Sequence, residues 1–212
     1  MFLLELTIIK YYVMLIEIKI NYFRITKKCI KMHRLNLIEK LKNYMPSDKE
    51  EIIFKKNILD FINANPLCFD RSLEIGHITA SSWLLNKDHS KALLLHHAKL
   101  NRWFQLGGHC DGNPDVLSVS IKEAQEESGI LAIEAISSNI FDIDIHLIPE
   151  NTKEKAHYHY DIRFLLHVTS DEEIIKNNES KELKWISKEL EQLPEKNPSV
   201  IRMFKKWQNL NI

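Results

Sequence analysis

The sequence predicts an α+β fold, in which a mixed β-sheet carries helices on its faces behind a helical N-terminal segment. Three observations predict it. Apolar residues at helical spacing fill the stretch before Pro66, and the texture turns strand-like from Ile75. Strand-like runs then surround one strongly helical block near residues 115–128. Finally, there is no internal repeat or low-complexity tract, so 212 residues read as one domain with a full core and extra end segments.

The elements follow in order. Leu35, Ile38, Leu41 and Lys42 begin a short helical pattern that ends at Pro46. Ser47, with Glu50 three residues later, matches a capping box. Ile52, Ile53, Leu59 and Ile62 carry the second helix to about Ala64, and Pro66 ends it. Ile78–Leu85 and Lys91–His97 read as strands joined by the turn Asn86–Ser90, a hairpin. Trp103–Leu106 is a short strand that Gly107 and Gly108 are expected to break. Asp115–Ser128 is a helix, 130–148 holds one or two strands, and Tyr158–Val168 and Leu183–Ile186 are strands. Lys188–Leu193 and Ser199–Leu210 read as helices, divided by Pro194 and Pro198.

Composition narrows the partners and the compartment. Lys plus Arg equals Asp plus Glu at 29 each, so the basic excess that a nucleic acid or an anionic membrane would require is missing. Cys29, Cys68 and Cys110 are odd in number and show no Cys-x-x-Cys spacing. They read as free thiols in a reducing cytoplasm, Cys110 as a small filler residue. In Met1–Ile30, Glu5, Lys10, Glu17 and Lys19 interrupt every apolar run, so none approaches the ~18 residues of a spanning helix. The positive residues close the segment and no small-residue cleavage site follows, against a secretion signal. Residues 1–31 are either an extension packed on the domain or the product of a mis-assigned start ahead of Met32, with the second reading slightly favoured. A helical segment over 32–72 and the main domain over 73–212 complete the expected organisation.

The chemistry concentrates between Gly107 and Ile130. At ~100° per residue, Leu117, Ile121, Ala124 and Ser128 form one stripe, expected to be the core face. Glu123, Glu126 and Glu127 fall together on another face, within about 100° of arc. Three neighbouring carboxylates repel and raise one another's pKa, and only Lys122 stands near them. A hard divalent cation such as Mg²⁺ would relieve that repulsion. The alternative is a solvated acidic face, which is common on helices. Upstream, Gly107-Gly108 allow the backbone to approach a ligand closely, and Gly129 suits the left-handed position that closes a helix.

The same residues resemble the Nudix box, Gly-x5-Glu-x7-Arg-Glu-apolar-x-Glu-Glu-x-Gly-apolar. Gly108 takes the first position. Lys122, Glu123, Ala124, Gln125, Glu126, Glu127, Ser128, Gly129 and Ile130 take the closing block in register. So long a motif at the correct spacing is specific. It departs at Pro114, which stands where the first Glu is expected, and at Lys122, which keeps the charge of the Arg but not its planar fork. The stretches 76–81, 96–103, 107–112, 157–164 and 180–185 extend the resemblance to a bacterial subgroup whose loop reads Gly-Gly-His-x-Asp-Gly, over roughly residues 47 to 193.

The resemblance implies a Nudix-type α/β/α sandwich and a hydrolase that cleaves a diphosphate linkage in a nucleoside diphosphate derivative or similar small molecule. It implies Mg²⁺ or Mn²⁺ on Glu123, Glu126 and Glu127, with Glu126 or Glu127 as general base and Glu182 as a distal candidate. Gly107, Gly108, His109 and Lys122 would meet the substrate. Dimers are common in the family, which leaves a homodimer open. Two other classes stay in view: a catalytically weak ligand-binding module on the same fold, which Pro114 and Lys122 keep alive, and a prenyl diphosphate isomerase, whose surrounding pattern is missing.

Other polar residues have two readings each. His157, His159 and Asp161 alternate on a strand and share a face. A polar strand face lining the cleft or hydrogen-bonding in the core is favoured over a second metal site. His96 and His97 read as structural. Trp83, Trp103 and Trp185 read as core, with Trp103 the best candidate for stacking on a base.

Overall fold

In the computed structural model, the described residues are 33–152, 154–171, 173–175, 177, 180–194 and 196–212. The expectation for residues 1–31 lies outside them. The helices are α1 (residues 33–43), α2 (Lys49–Ala64), α3 (Val116–Ser128) and α4 (Pro198–Gln208). The strands are β1 (Gly76–Leu85), β2 (Lys91–His97), β3 (Trp103–Phe104), β4 (Leu106–His109), β5 (Ile133–Ala135), β6 (Asp142–Ile148), β7 (His157–Val168) and β8 (Ser180–Ser187).

All eight strands join one mixed sheet. At its centre β1 and β7 run parallel over ten residue pairs, from Gly76↔Tyr158 to Leu85↔His167. The other pairings are antiparallel: β2 and β4 share the far edge of β1, β5 and β6 that of β7, and β8 and β3 flank β2. β1 is buried at every position, as a strand covered on both faces must be.

The alternation of β1 sorts the core into two layers. Ile78, Ala80 and Leu84 pack with Leu37 and Leu41 of α1, Ile58, Phe61 and Ile62 of α2, and Val116, Val119 and Ala124 of α3. Trp83 and Leu85 pack on the other side with Val200, Met203, Phe204 and Trp207 of α4. The result is helix, sheet, helix, the α+β arrangement the pattern predicts, and Leu37–Ile212 form one compact unit.

Several local expectations shift. α2 starts one residue later than the Ser47 capping box implied: Asp48 is the cap and its Oδ1 accepts the Glu51 N–H at 2.8 Å. Glu51 faces back and accepts the Ser47 N–H at 2.6 Å, so Glu51 takes the role expected of Glu50. The Lys188–Leu193 helix is only a 3₁₀ turn over Leu190–Gln192, because Pro194 leaves no room for a longer ladder. Around α4, Asn197 caps the helix and Pro198 takes the first turn, which needs no amide hydrogen.

A chain of buried ions ties β6 and β7 to α4 and α2. Arg163 donates through Nε to Asp161 (2.7 Å) and through its Nη1 to Asp142 (2.9 Å) and Ser199 (2.6 Å). Arg202 reaches Asp142 (3.0 Å), Asp144 (2.9 Å) and Glu50 (3.0 Å). Lys206 pairs with Asp142 at 2.7 Å and with Glu51, which also accepts the Tyr44 hydroxyl at 2.5 Å. Burial pushes the Glu51 carboxyl up, but hydrogen bonds with Asp142, Lys206, Tyr44 and the Ser47 amide outweigh it and hold it at about 2, below the ordinary 4.5.

A carboxyl lowered by folding adds stability that is full above its unfolded value and is lost as pH falls toward the folded one. For Glu51 that window is pH 4.5 down to about 2; the Asp142 carboxyl shifts the other way, raised chiefly by burial, and offsets part of the gain. Wild-type thermal stability should therefore fall as pH drops from about 4.5 toward about 2, and the Glu51→Gln variant, less stable at neutral pH, should show a shallower decline. Equal slopes in the two proteins would remove Glu51 from this role.

Candidate active site

α3 is set by its two ends. Asp115 caps the N-terminus, its Oδ1 accepting the Ser118 N–H at 3.2 Å. Gly129 closes the helix at φ 76°, where its N–H reaches the Gln125 carbonyl at 2.9 Å. The helix lies against β4, and here the structure departs from two expectations.

First, Gly107 and Gly108 do not break the strand. They belong to β4, paired with Ser81 and Ala80 of β1. Gly107 adopts φ 155°, and a Cβ there would lie 2.6 Å from the Ser81 Cα and 2.7 Å from the Ala80 carbonyl. At Gly108 a Cβ would meet only the tip of a side chain, the Glu123 Oε2 at 2.3 Å. The consequences separate. Gly107→Ala forces backbone apart and should cost about 3 kcal/mol, whereas Gly108→Ala needs only a carboxylate to swing away and should cost about 1 kcal/mol or less. Urea unfolding of the two variants checks this order; equal losses would overturn it.

Second, the buried stripe of α3 is rotated. Val116, Val119, Ser120, Ala124, Glu127 and Ser128 are buried, while Leu117 and Ile121 are only partly so. Glu127 therefore belongs to the core face instead of a separate acidic one. The cause is the missing side chains of β4, which let carboxylates approach the sheet where Cβ atoms would stand. Glu127 Oε2 accepts the Gly107 N–H at 2.8 Å, and Glu123, one turn earlier, fills the space beside Gly108. Glu126 points outward and pairs with Lys122 at 2.7 Å; Lys122 also lies 3.5 Å from Glu123. Lys122 thus spans two of the three glutamates, as a cation holding them in place would.

Burial pushes the Glu123 carboxyl up, Lys122 pulls it down and Glu126 adds to the rise. A carboxylate desolvated beside another and short of positive charge suits a divalent cation, and an all-oxygen donor set suits Mg²⁺ or Mn²⁺. The other predicted residues stand as follows. His109 ends β4, half-buried. Pro114 is half-buried ahead of the cap at Asp115. Cys110 and Cys68 are both buried, and burial pushes the Cys110 thiol up. Glu182 is exposed on β8, which pairs with β2, whereas β4 pairs with β1. Trp83 is fully buried, and Trp103 stacks on His96 with ring centroids 4.9 Å apart.

The opposite face of the same strands carries a polar ladder. The parallel register sets His77 beside His159, Thr79 beside Asp161 and Ser81 beside Arg163. β4 adds His109 opposite Thr79, and β6 adds His146 opposite His159 and Asp144 opposite Asp161. Asp161 is consumed by hydrogen bonds from Thr79 (2.9 Å), Ser81 (2.8 Å) and Arg163 (2.7 Å). It is thus a structural carboxylate, in line with the hydrogen-bonding reading. The histidines form a cluster of their own. His77 centres 4.9–5.0 Å from the rings of His109, His157 and His159, and His146 lies 5.4 Å from His159. Burial pushes His77 down to about 4 and His159 down to about 2, so both rings are neutral at pH 7. No local signal pointed to His77, because only the β1–β7 register brings it to the others.

No family model and no curated relative matches the chain. Among solved structures it is similar to a C. elegans Ap4A hydrolase (16% identity, 61% of this chain and 93% of that one, TM-score 0.49). It is also similar to a NUDIX-family hydrolase from Clostridium perfringens (25% identity, 62% and 95%, TM-score 0.46). A MutT protein from Methanosarcina mazei Go1 is a third such neighbour (19% identity, 64% and 94%, TM-score 0.48).

Proposed function

We propose that this protein is a Nudix-type hydrolase that uses a divalent cation to cleave a diphosphate linkage in a nucleoside diphosphate derivative or a similar small molecule. One observation carries the reading: two glutamates one helical turn apart, Glu123 and Glu127, lie against consecutive glycines of a strand, while Glu126 is turned outward to Lys122. Carboxylates are costly to bring against a sheet, and a purely structural helix would present apolar side chains there.

Glu123, Glu126 and Glu127 would hold Mg²⁺ or Mn²⁺, which when bound neutralises charge on the diphosphate and makes water a better nucleophile. The chain's own groups do the rest. Glu126 or Glu127 accepts the proton of the attacking water. Lys122 and the backbone of Gly108 and His109 orient the phosphate oxygens, while the Gly107 N–H holds Glu127 in place, in a reaction dominated by positioning and charge. Cysteines without Cys-x-x-Cys spacing support a reducing, cytoplasmic setting. Among the described residues no helix is long and apolar enough to cross a membrane.

A phosphate-release screen over nucleoside diphosphate derivatives, with Mg²⁺, with Mn²⁺ and with chelator, tests the reading. Turnover that depends on the cation supports it. Ligand-induced thermal stabilisation without turnover on any compound would replace it by a binding module.

A further inference from the structure

We infer that His77, His157 and His159 form a binding site for a borderline divalent transition metal of the zinc class, separate from the carboxylate site on α3. The geometry is already that of a ligand set. One ring nitrogen from each of the three lies within 4.8 Å of the others. The Nε2 atoms of His157 and His159 are 3.3 Å apart. Two nitrogens bound tetrahedrally to Zn²⁺ at ~2.0–2.1 Å would sit ~3.3–3.4 Å apart, so this edge of the site needs almost no adjustment.

Two further observations point to a ligand. The first is the tautomer of His157. Its Nδ1 lies 2.8 Å from the Lys155 carbonyl, which can only accept, so Nδ1 carries the proton. Nε2 then presents its lone pair to the cluster, the orientation a backbone carbonyl imposes on metal-bound histidines. The second is His77, which is 3% exposed and has no hydrogen-bond partner at either ring nitrogen. An unsatisfied buried imidazole is unfavourable, and the His77 ring faces His109, His157 and His159. A cation among the lone pairs satisfies His77 and replaces the His157–His159 contact by two coordinate bonds.

The donor chemistry selects the ion. Three imidazoles without a carboxylate suit Zn²⁺, Co²⁺ or Ni²⁺, whereas Mg²⁺ prefers oxygens. Three protein ligands leave a fourth position open, and His109, 5.0 Å from both His77 and His159 by ring centroid, borders it. The site also stands apart from α3. His109, His77 and His159 project from one face of the sheet, while the Gly108–Glu123 contact lies on the other, since Gly108 pairs with Ala80 and His109 with Thr79.

The test uses the full chain, stripped with chelator and titrated with Co²⁺ as the probe. Wild type should take up one equivalent and develop the intense visible absorption of tetrahedral cobalt; Zn²⁺ should abolish that spectrum and excess Mg²⁺ should not. A Glu123→Gln/Glu127→Gln double variant should give the same spectrum, which separates this site from the carboxylate site. His159→Gln, at a half-buried position, should fold and bind at least 100-fold more weakly. His77→Gln should do the same, and unfolding of each variant by circular dichroism reports whether it is native. No tetrahedral spectrum in wild type, or wild-type affinity in folded His159→Gln, would overturn the assignment.

Discussion

Glu127→Gln is expected to lower turnover at least 100-fold, about 3 kcal/mol of transition-state stabilisation, while leaving the fold in place. The structure explains why the two effects separate. Glu127 is buried on the core face of α3, and its Oε2 accepts the Gly107 N–H at 2.8 Å. A glutamine keeps the size and an amide oxygen that can accept the same bond, so β4 stays docked. What it loses is the negative charge, which the proposed reaction needs for the cation or the proton. The measurement is cation-dependent phosphate release beside a thermal unfolding curve, on one preparation. Lost turnover with an unchanged melting temperature supports the assignment. Wild-type turnover would reject Glu127 as a metal ligand or base, and joint loss of fold and turnover would make its role structural.

Arg163→Leu should be the most damaging substitution for stability, with a loss of about 4 kcal/mol or more. The guanidinium is 2% exposed and bridges Asp161, Asp142 and Asp144, with Ser199 of α4 as a further partner. Removing it takes the cation from Asp161 on a buried face and one partner each from Asp142 and Asp144, to which Arg202 still bonds, with Lys206 on Asp142. The loss approaches the whole stability of a typical domain, ~5–15 kcal/mol, so poor soluble expression is part of the expected result. Lysine should not rescue it, because one ammonium cannot span three carboxylates as the fork does. Arg163→Leu combined with Asp161→Asn should recover part of the loss, since the most dependent charge goes with its partner. A single variant within about 1 kcal/mol of wild type in urea unfolding would show that the network does not hold the layers together.

The sequence by itself determined what local chemistry encodes. α3 closes at Gly129 as the pattern placed it and starts at Val116, one residue later than expected, because Asp115 serves as its cap; both ends are a matter of neighbouring residues. β2 runs over Lys91–His97 and turns back on β1 at Leu84↔Leu93, as alternation and a short turn predict. The glutamates and glycines of the candidate site were legible as a spacing. Their placement was not. Whether Gly107 and Gly108 interrupt a strand or lie within one depends on β1, which supplies the edge they pair with. That pairing in turn decides that Glu127 is buried and Glu126 is exposed. The parallel union of β1 and β7 joins residues some eighty positions apart. Such a union has no local signature, since any two buried strands satisfy the same pattern and only the whole core selects the register. From that register come the ion network around Arg163 and the meeting of His77 with His159. Tertiary structure alone decided these, because each depends on which side chains share a face across strands and not on which stand near one another in the chain.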